Sequence, residues 1–388
     1  MTIQEATNPQ EWDAFLALQQ FRPFLQSWTM GEVYRDTGQE PIRMEVRDEE
    51  KIVAICQAIL VPARRGRHLS IPYGPVISST QTAENSMHVL KTLLEELKKV
   101  AREHQCCFIR MSPFWPLHPT PYTLPPTFVS SPLHLLAEHL WFLPLIEPDP
   151  WALTQTSNEQ RATSNESPLS VTEELLLKNM RKTTRNLIRR TERDGVTVEA
   201  SKDPSREIEH FLALHEETRQ RHGFTPYTNT FFRSQVRRFS ERNECTLYLA
   251  RFQGEVAAAS IHMHAFGETS YHHGASTHRL SKIPASYLLQ WTAIRDALRR
   301  GDHVYNFWGI APLGQEAESS TQQVESSPSP KSQVPSPKSD HPFAGVTLFK
   351  TGFGGSLLPL THCMDFPLSA RYHLTRAFEL LRKWRRGF

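Results

Sequence analysis

Apolar and polar positions alternate along two separate stretches of the chain, and both stretches follow one plan. Residues 41–46 read as a strand, followed by the polar turn 47–51 and the apolar run 52–61. A third strand ends in Ile71-Pro-Tyr-Gly-Pro-Val76. The plan returns as strand 246–251, turn 252–255, strand 256–264 and a third strand ending in Tyr271-His-His-Gly-Ala-Ser276. Each trio precedes a helix. Leu90, Leu93, Leu94, Leu97 and Val100 recur at helical spacing, as do Leu288, Trp291, Ile294 and Leu298 ahead of a stop at Gly301. Short apolar strands at 107–111 and 303–307 close the two units. Hairpins followed by a helix and a strand predict α/β lobes with mixed sheets. The shared order of five elements predicts a duplication.

Composition divides the chain further. The 388 residues exceed one ordinary core, and 39% hydrophobic residues supply material for two. Residues 154–170 are rich in Ser, Thr, Asn and Gln, and residues 314–342 in Ser, Pro, Gln and Lys; neither composition buries enough surface to offset ordering entropy. The expected organisation is a first lobe at 1–153, a disordered linker at 154–170 and a second lobe at 171–365. The second lobe is interrupted by a disordered insertion at 314–342. A net charge of +3 announces no global nucleic-acid field. Cys56, Cys106, Cys107, Cys245 and Cys363 form no C-x-x-C pair, and an odd count makes a poor disulfide framework, so buried free thiols in a reducing cytosol are expected. No basic-then-apolar leader opens the sequence and no run of about 18 apolar residues occurs, so a cytoplasmic protein is expected.

The strand-strand-strand-helix-strand order is that of the N-acetyltransferase (GNAT) superfamily, which implies two tandem acetyltransferase-like lobes. The glycine-rich phrase that cradles a coenzyme A pyrophosphate there is missing; the matching loop reads Arg279-Leu-Ser-Lys-Ile-Pro-Ala-Ser286, with Pro284 as a first-turn residue. A more specific resemblance rests on phrases in order along nearly the whole chain. These are Phe24-Leu-Gln-Ser-Trp28 with Gly31 and Arg35, Tyr73-Gly-Pro75, and Met180-Arg-Lys-Thr-Thr-Arg-Asn-Leu-Ile-Arg189. They continue with His273-Gly-Ala-Ser276, Pro284-Ala-Ser-Tyr-Leu-Leu-Gln-Trp291, Phe307-Trp-Gly309 and Gly345-Val-Thr-Leu-Phe-Lys-Thr-Gly-Phe-Gly-Gly355. Together they resemble the Fem-type peptidoglycan branching aminoacyltransferases.

The resemblance implies transfer of an amino acid from aminoacyl-tRNA to an amine on the stem peptide of a peptidoglycan precursor, nucleotide-linked or lipid-linked. Aminoacyl-tRNA is the co-substrate and no further cofactor is implied. Lys350 matches the family's lysine beside the tetrahedral oxyanion, and Phe349 the aromatic at the tRNA acceptor end. The strand expected to carry Lys350 follows the insertion and is held from the Phe353-Gly-Gly355 side. Arg35 is the candidate phosphate ligand, and Tyr73 and Tyr227 are candidate substrate contacts. Tyr271 and His273 are expected to end a strand beside the same cleft as Lys350. The sequence departs from the family where Tyr227 replaces an arginine and Ser112-Pro113 replaces an Asp-Pro pair, so precursor recognition is expected to differ. The C-terminal helix, 366–388, is expected to pack back on the first lobe.

Lys178, Arg181, Arg185 and Arg189 fall on one expected helix, where they suit tRNA phosphates or simply a solvated face. Arg382, Lys383, Trp384, Arg385 and Arg386 suit the inner face of an anionic membrane or a solubilising tail. Alternation puts His262 and His264 on one sheet face, but no third ligand phrase accompanies them or His272, so no metal is expected. A monomer is expected. Two rival functions stay open: an acyl-CoA-dependent N-acyltransferase, and a non-catalytic relative that binds precursor or tRNA.

Overall fold

The alternating stretches fold as antiparallel ladders, each backed by its own helix. The computed structural model describes residues 1–63, 66–117, 122–152, 169–222, 227–313 and 341–386. The bulk of the expected linker and insertion, 154–168 and 314–340, lies outside the described residues. Strands β1 (Thr2–Glu5), β2 (Glu40–Asp48), β3 (Lys51–Val61), β4 (His68–Pro72), β5 (Val76–Ile77), β6 (Phe108–Ser112) and β7 (Val129–Ser130) come first. Then follow β8 (His139–Pro144), β9 (Ile146–Glu147), β10 (Leu169–Ser170), β11 (Thr197–Ala200), β12 (Cys245–Phe252) and β13 (Glu255–Ala265). The last four are β14 (Glu268–Ser276), β15 (Val304–Gly309), β16 (Ser356–Pro359) and β17 (Met364–Pro367).

Two compact units emerge: Met1–Glu138 with Thr228–Arg238 and Pro359–Phe388, and His139–Tyr227 with Phe239–Leu358. The expected boundary at 153 therefore differs. Residues 139–144 form β8, which pairs antiparallel with β15 and belongs to the second sheet.

In the first unit the sheet runs β1-β2-β3-β4-β6-β17-β7, with β5 on β3. The helix Ala83–Glu103 lies on it, started by the Thr82 side chain accepting from the Asn85 amide. Its stripe of Val89, Leu90, Leu93, Leu94 and Leu97 is buried against Val46, Ala54, Cys56, Ile71 and Ile109. The helix Arg371–Arg386 packs on the same unit through Tyr372, whose ring meets Phe108 at 5.3 Å. Residues 366 and 367, expected to be helical, belong instead to β17.

One polar cluster fixes that return of the chain. Arg110 on β6 donates to both carboxylate oxygens of Asp365 on β17, at 2.6 and 2.8 Å, and to both of Glu379, at 3.0 and 2.7 Å. Asp365 is fully buried and also accepts from the Tyr372 hydroxyl. Two bidentate carboxylates satisfy the guanidinium and offset its desolvation.

In the second unit the sheet runs β11-β12-β13-β14-β15-β8-β16. The helix Ala285–Arg300 covers one face with Leu288, Leu289, Trp291, Ile294 and Ala297 and ends at Gly301, whose φ of 80° is the left-handed turn a glycine takes most easily. The other face carries the helix Pro204–His222. Pro284 stands one residue earlier than expected, at the cap of its helix. All five cysteines are buried and free.

Removing Arg110 would strand two carboxylates, one of them fully buried. Arg110→Ala is expected to cost about 3–5 kcal/mol in denaturant unfolding; a loss below about 1 kcal/mol would show that the cluster does not fasten the chain's return.

Candidate active site

The site begins where two parallel strands part. β14 and β15 pair at Glu268–Val304, Thr269–Tyr305 and Ser270–Asn306, and the ladder stops there. β14 continues through Tyr271, and β15 through Trp308 to Gly309. Trp308 has a φ of +66°, sparsely populated for a tryptophan, and its amide is held by the Asn306 side chain at 2.8 Å.

Lys350 reaches this opening from a helix, Ala344–Thr351, not from the expected strand. The residues 344–351 place Thr347 and Thr351 one turn apart, and both side chains are spent on fixing the segment. Thr347 Oγ1 donates to the Phe343 carbonyl and accepts from the Ala311 amide at 2.9 Å. Thr351 Oγ1 donates to the Thr347 carbonyl and accepts from Arg181 at 2.8 Å. The glycines behind the helix permit close packing: a Cβ at Gly355, where φ is +100°, would lie 2.2 Å from the Phe142 carbonyl oxygen. Trp141 Nε1 donates to the Gly354 carbonyl at 2.6 Å.

So held, Lys350 is 7% exposed and its Nζ donates to the Gly309 carbonyl at 2.6 Å. The same Nζ lies 5.5 Å from the centre of the Tyr271 ring, within reach of its π face. Burial pushes the Lys350 pKa down to about 7. Among the described residues its partners are a carbonyl and a ring, both neutral. An ammonium there gains most from a negative charge that arrives with substrate or forms during reaction.

Tyr271 is backed by a fully buried polar chain. It stacks on His262 at 5.3 Å; His262 Nε2 lies 2.8 Å from the Tyr305 hydroxyl, which accepts from Gln290 at 2.6 Å. Burial lowers the His262 pKa to about 3 and raises that of Tyr271 to about 12, so both are neutral near pH 7. A Cβ on Gly274 would sit 1.8 Å from the Tyr271 oxygen, so glycine leaves the hydroxyl its space. The sequence pattern places His262 on a sheet face with His264 but does not reveal Tyr305 and Gln290 behind it, or the Gly309 carbonyl beside Lys350. The phrase Phe307-Trp-Gly309 was the available signal.

The other expected residues fall in different surroundings. A β-bulge opposite Ile261 and His262 separates Tyr271 from His273. Tyr271 packs with the core under the helix Ala285–Arg300, whereas His273 meets Phe211 of the helix Pro204–His222 and Tyr227 at 5.7 Å. The two therefore do not share Lys350's cleft as expected. Tyr227 is 45% exposed. Phe349 is half-buried, its ring edge-on to Tyr287 at 4.9 Å and to Phe353 at 5.4 Å.

The basic stripe is broken across two helices, Glu173–Asn179 and Lys182–Arg193, because the backbone turns extended at Met180 and Arg181. Arg185 donates to the carbonyls of Leu177, Lys178 and Met180 and so caps the first helix. Lys178 and Arg189 are exposed. In the first unit, Arg35 pairs with Glu32 at 2.7 Å and Glu40 at 3.1 Å. Tyr73 is buried, and its hydroxyl donates to the Ala137 carbonyl at 2.7 Å.

The lysine has a thermodynamic signature. Unfolded, it keeps its proton up to about 10.5; folded, it loses it near 7. Between those values the unfolded state binds more protons, so the contribution makes stability rise with pH, by at most about 1.4 kcal/mol per pH unit. Lys350→Met is expected to abolish that rise in unfolding curves taken from pH 7 to 10; an identical slope in both proteins would contradict the burial.

Comparison with known proteins follows the two units. Residues 7–127 match the FemAB family, and residues 178–317 match the acetyltransferase (GNAT) domain. No curated protein sequence matches the chain. The crystal structure of FemX is similar with a TM-score of 0.70 at 16% identity, covering 98% of this chain and 100% of that one. The C-terminal domain of a putative lysylphosphatidylglycerol synthetase from Agrobacterium fabrum has a TM-score of 0.51 at 12% identity, covering 96% of each chain. A tandem GNAT protein from the clavulanic acid biosynthesis pathway has 0.52 at 11% identity, covering 94% of this chain and 97% of that one. The FemAB likeness thus lies within the first unit and the acetyltransferase likeness falls mainly on the second, each over about a third of the chain, and the solved structures share the fold of tandem acetyltransferase-like lobes.

Proposed function

We propose that this chain moves an aminoacyl group from aminoacyl-tRNA to an amine on the stem peptide of a peptidoglycan precursor. The observation that carries the reading is the buried Lys350 ammonium, whose partners among the described residues, where β14 and β15 part, are a carbonyl and an aromatic ring. Attack of the amine nitrogen on the ester carbonyl forms a C–N bond and an oxyanion. Collapse breaks the ester C–O bond, the tRNA ribose oxygen leaves, and the proton lost by the amine ends on it. Lys350 stabilises the oxyanion; it forms no bond to the acyl group. An oxyanion beside the lysine raises its pKa, so the ammonium is fully present where it is needed.

Phe349 supports a contact with the tRNA acceptor end, and the exposed Lys178 and Arg189 support contacts with tRNA phosphates. Arg181 donates instead to the Thr351 hydroxyl, and Arg185 to the Met180 carbonyl. Against an acyl-CoA donor, the loop ahead of the helix Ala285–Arg300 lacks glycines, and its Arg279 pairs with Glu255 at 3.1 Å.

The precursor in this reading is lipid-linked and met at an anionic membrane surface. No helix among the described residues is long and apolar enough to cross a membrane. The helix Arg371–Arg386 turns Tyr372, Thr375 and Glu379 inward and leaves Leu374, Phe378, Leu381 and Trp384 exposed, with Arg371 and Arg385 beside them. An apolar arc edged by cations matches acyl chains below anionic headgroups.

Lys350→Ala is expected to lower transfer from a panel of charged tRNAs to the precursor about a hundredfold or more. Wild-type turnover in that variant would refute the oxyanion role, and release of coenzyme A from acetyl-CoA without tRNA would refute the donor. Full-length protein should co-sediment with vesicles containing phosphatidylglycerol and be released by salt or by Leu381→Glu with Trp384→Glu. Equal binding to purely zwitterionic vesicles would overturn the electrostatic part of the membrane reading.

A further inference from the structure

Away from Lys350, the first unit brings together three ligand-type side chains from distant parts of the sequence. His134 and Glu138 lie in the segment before β8, and His362 in the turn before β17. The Nδ1 atoms of both imidazoles stand 2.8 Å from the same Glu138 oxygen, Oε2. His362 Nε2 is 3.0 Å from the Ser131 carbonyl, a group that only accepts, so Nε2 carries a proton. In the neutral ring that leaves a lone pair on Nδ1, aimed at a carboxylate oxygen. Two acceptors face each other there, and the contact is favourable only with a proton or a cation between them. The second carboxylate oxygen, Oε1, is already fixed by the Cys363 amide at 2.9 Å.

We propose that His134, Glu138 and His362 bind a divalent transition metal of the zinc class through His134 Nδ1, Glu138 Oε2 and His362 Nδ1. Two imidazoles and a carboxylate are a common zinc donor set, and the three atoms lie within 4.8 Å of one another. Metal bonds of about 2.0–2.2 Å separate tetrahedral ligands by roughly 3.4 Å, so donors now at 2.8 Å need to open by about half an ångström. His134, half exposed, has the freedom to do so. The supporting shell is already built: an imidazole N–H on a carbonyl and a carboxylate oxygen on an amide are the contacts that orient such ligands. The exposed His134 side leaves the fourth position to water. The ion would clip residues 131–138 to residues 360–363, where Ser131 N donates to the Cys363 carbonyl at 2.9 Å and Leu360 N to the Glu138 carbonyl at 2.7 Å.

The test titrates chelator-treated full-length protein with Co²⁺, read by visible absorption, and with Zn²⁺ in competition, alongside thermal unfolding. One equivalent is expected to bind with a tetrahedral cobalt spectrum and raise Tm. His134→Ala, an exposed substitution that leaves the fold intact, is expected to weaken binding at least about tenfold, and Glu138→Gln likewise. Absence of stoichiometric binding, or binding unchanged in His134→Ala, would overturn the site and identify the cluster as an imidazolium–carboxylate pair.

Discussion

The length of one parallel ladder decides where the second unit opens around Lys350. In the second unit, β14 and β15 stay paired for three residues and then separate, and Tyr271, Gly309 and Lys350 meet at the separation. In the first unit the equivalent strands, β4 and β6, pair over five residues, from His68–Phe108 to Pro72–Ser112. The Tyr73 amide extends that ladder by donating to the Ser112 carbonyl at 2.7 Å. A closed ladder consumes the backbone groups that an open one offers to substrate. The two copies share a plan, and register alone gives only one of them this opening.

Keeping a lysine at such an opening is costly, and the surroundings show how the cost is met. Desolvation disfavours the ammonium, and a nearby carboxylate would have cancelled that penalty while also neutralising the charge that the proposed reaction needs. The carbonyl of Gly309 accepts a hydrogen bond without doing so. The rest of the segment over-determines the helix position: two threonines, Arg181, Trp141 and a glycine jammed against the Phe142 carbonyl. In the proposed reaction, preorganisation of this kind would let an oxyanion be stabilised without moving the lysine.

The sequence displayed elements far better than it displayed neighbours. Alternation and helical stripes located the ladders, because the period of apolar residues follows directly from which face is buried. It could not show that residues 139–144 join the second sheet, since strand partners far apart in sequence leave no local trace. Lys350 was visible through its phrase, yet its helix was taken for a strand, the short run 344–351 being equally apolar in either form. The basic stripe failed for a related reason. Spacing of three and four assumes one uninterrupted helix, and the break at Met180 makes Arg185 a backbone cap and sends Arg181 to the Thr351 hydroxyl. The bulge opposite His262 is the same lesson in a strand: one extra residue reassigns His273 to the other face.

The pKa of Lys350 links fold to mechanism more tightly than the motif alone. Lowered by burial to about 7, the lysine in the free site titrates around neutral pH, so both of its forms come into play. A general base would use the neutral form; an electrostatic stabiliser would use the charged form. The proposed reaction uses the second. The Nζ already donates to a carbonyl, as both forms can, but its approach to the Tyr271 face favours a cation. Any anion entering the opening draws the pKa upward and converts the neutral fraction into ammonium. In the proposed reaction the site is tuned by burial to gain charge on demand: the lysine takes its proton from water as substrate binds, and the proton the amine loses leaves on the ribose oxygen.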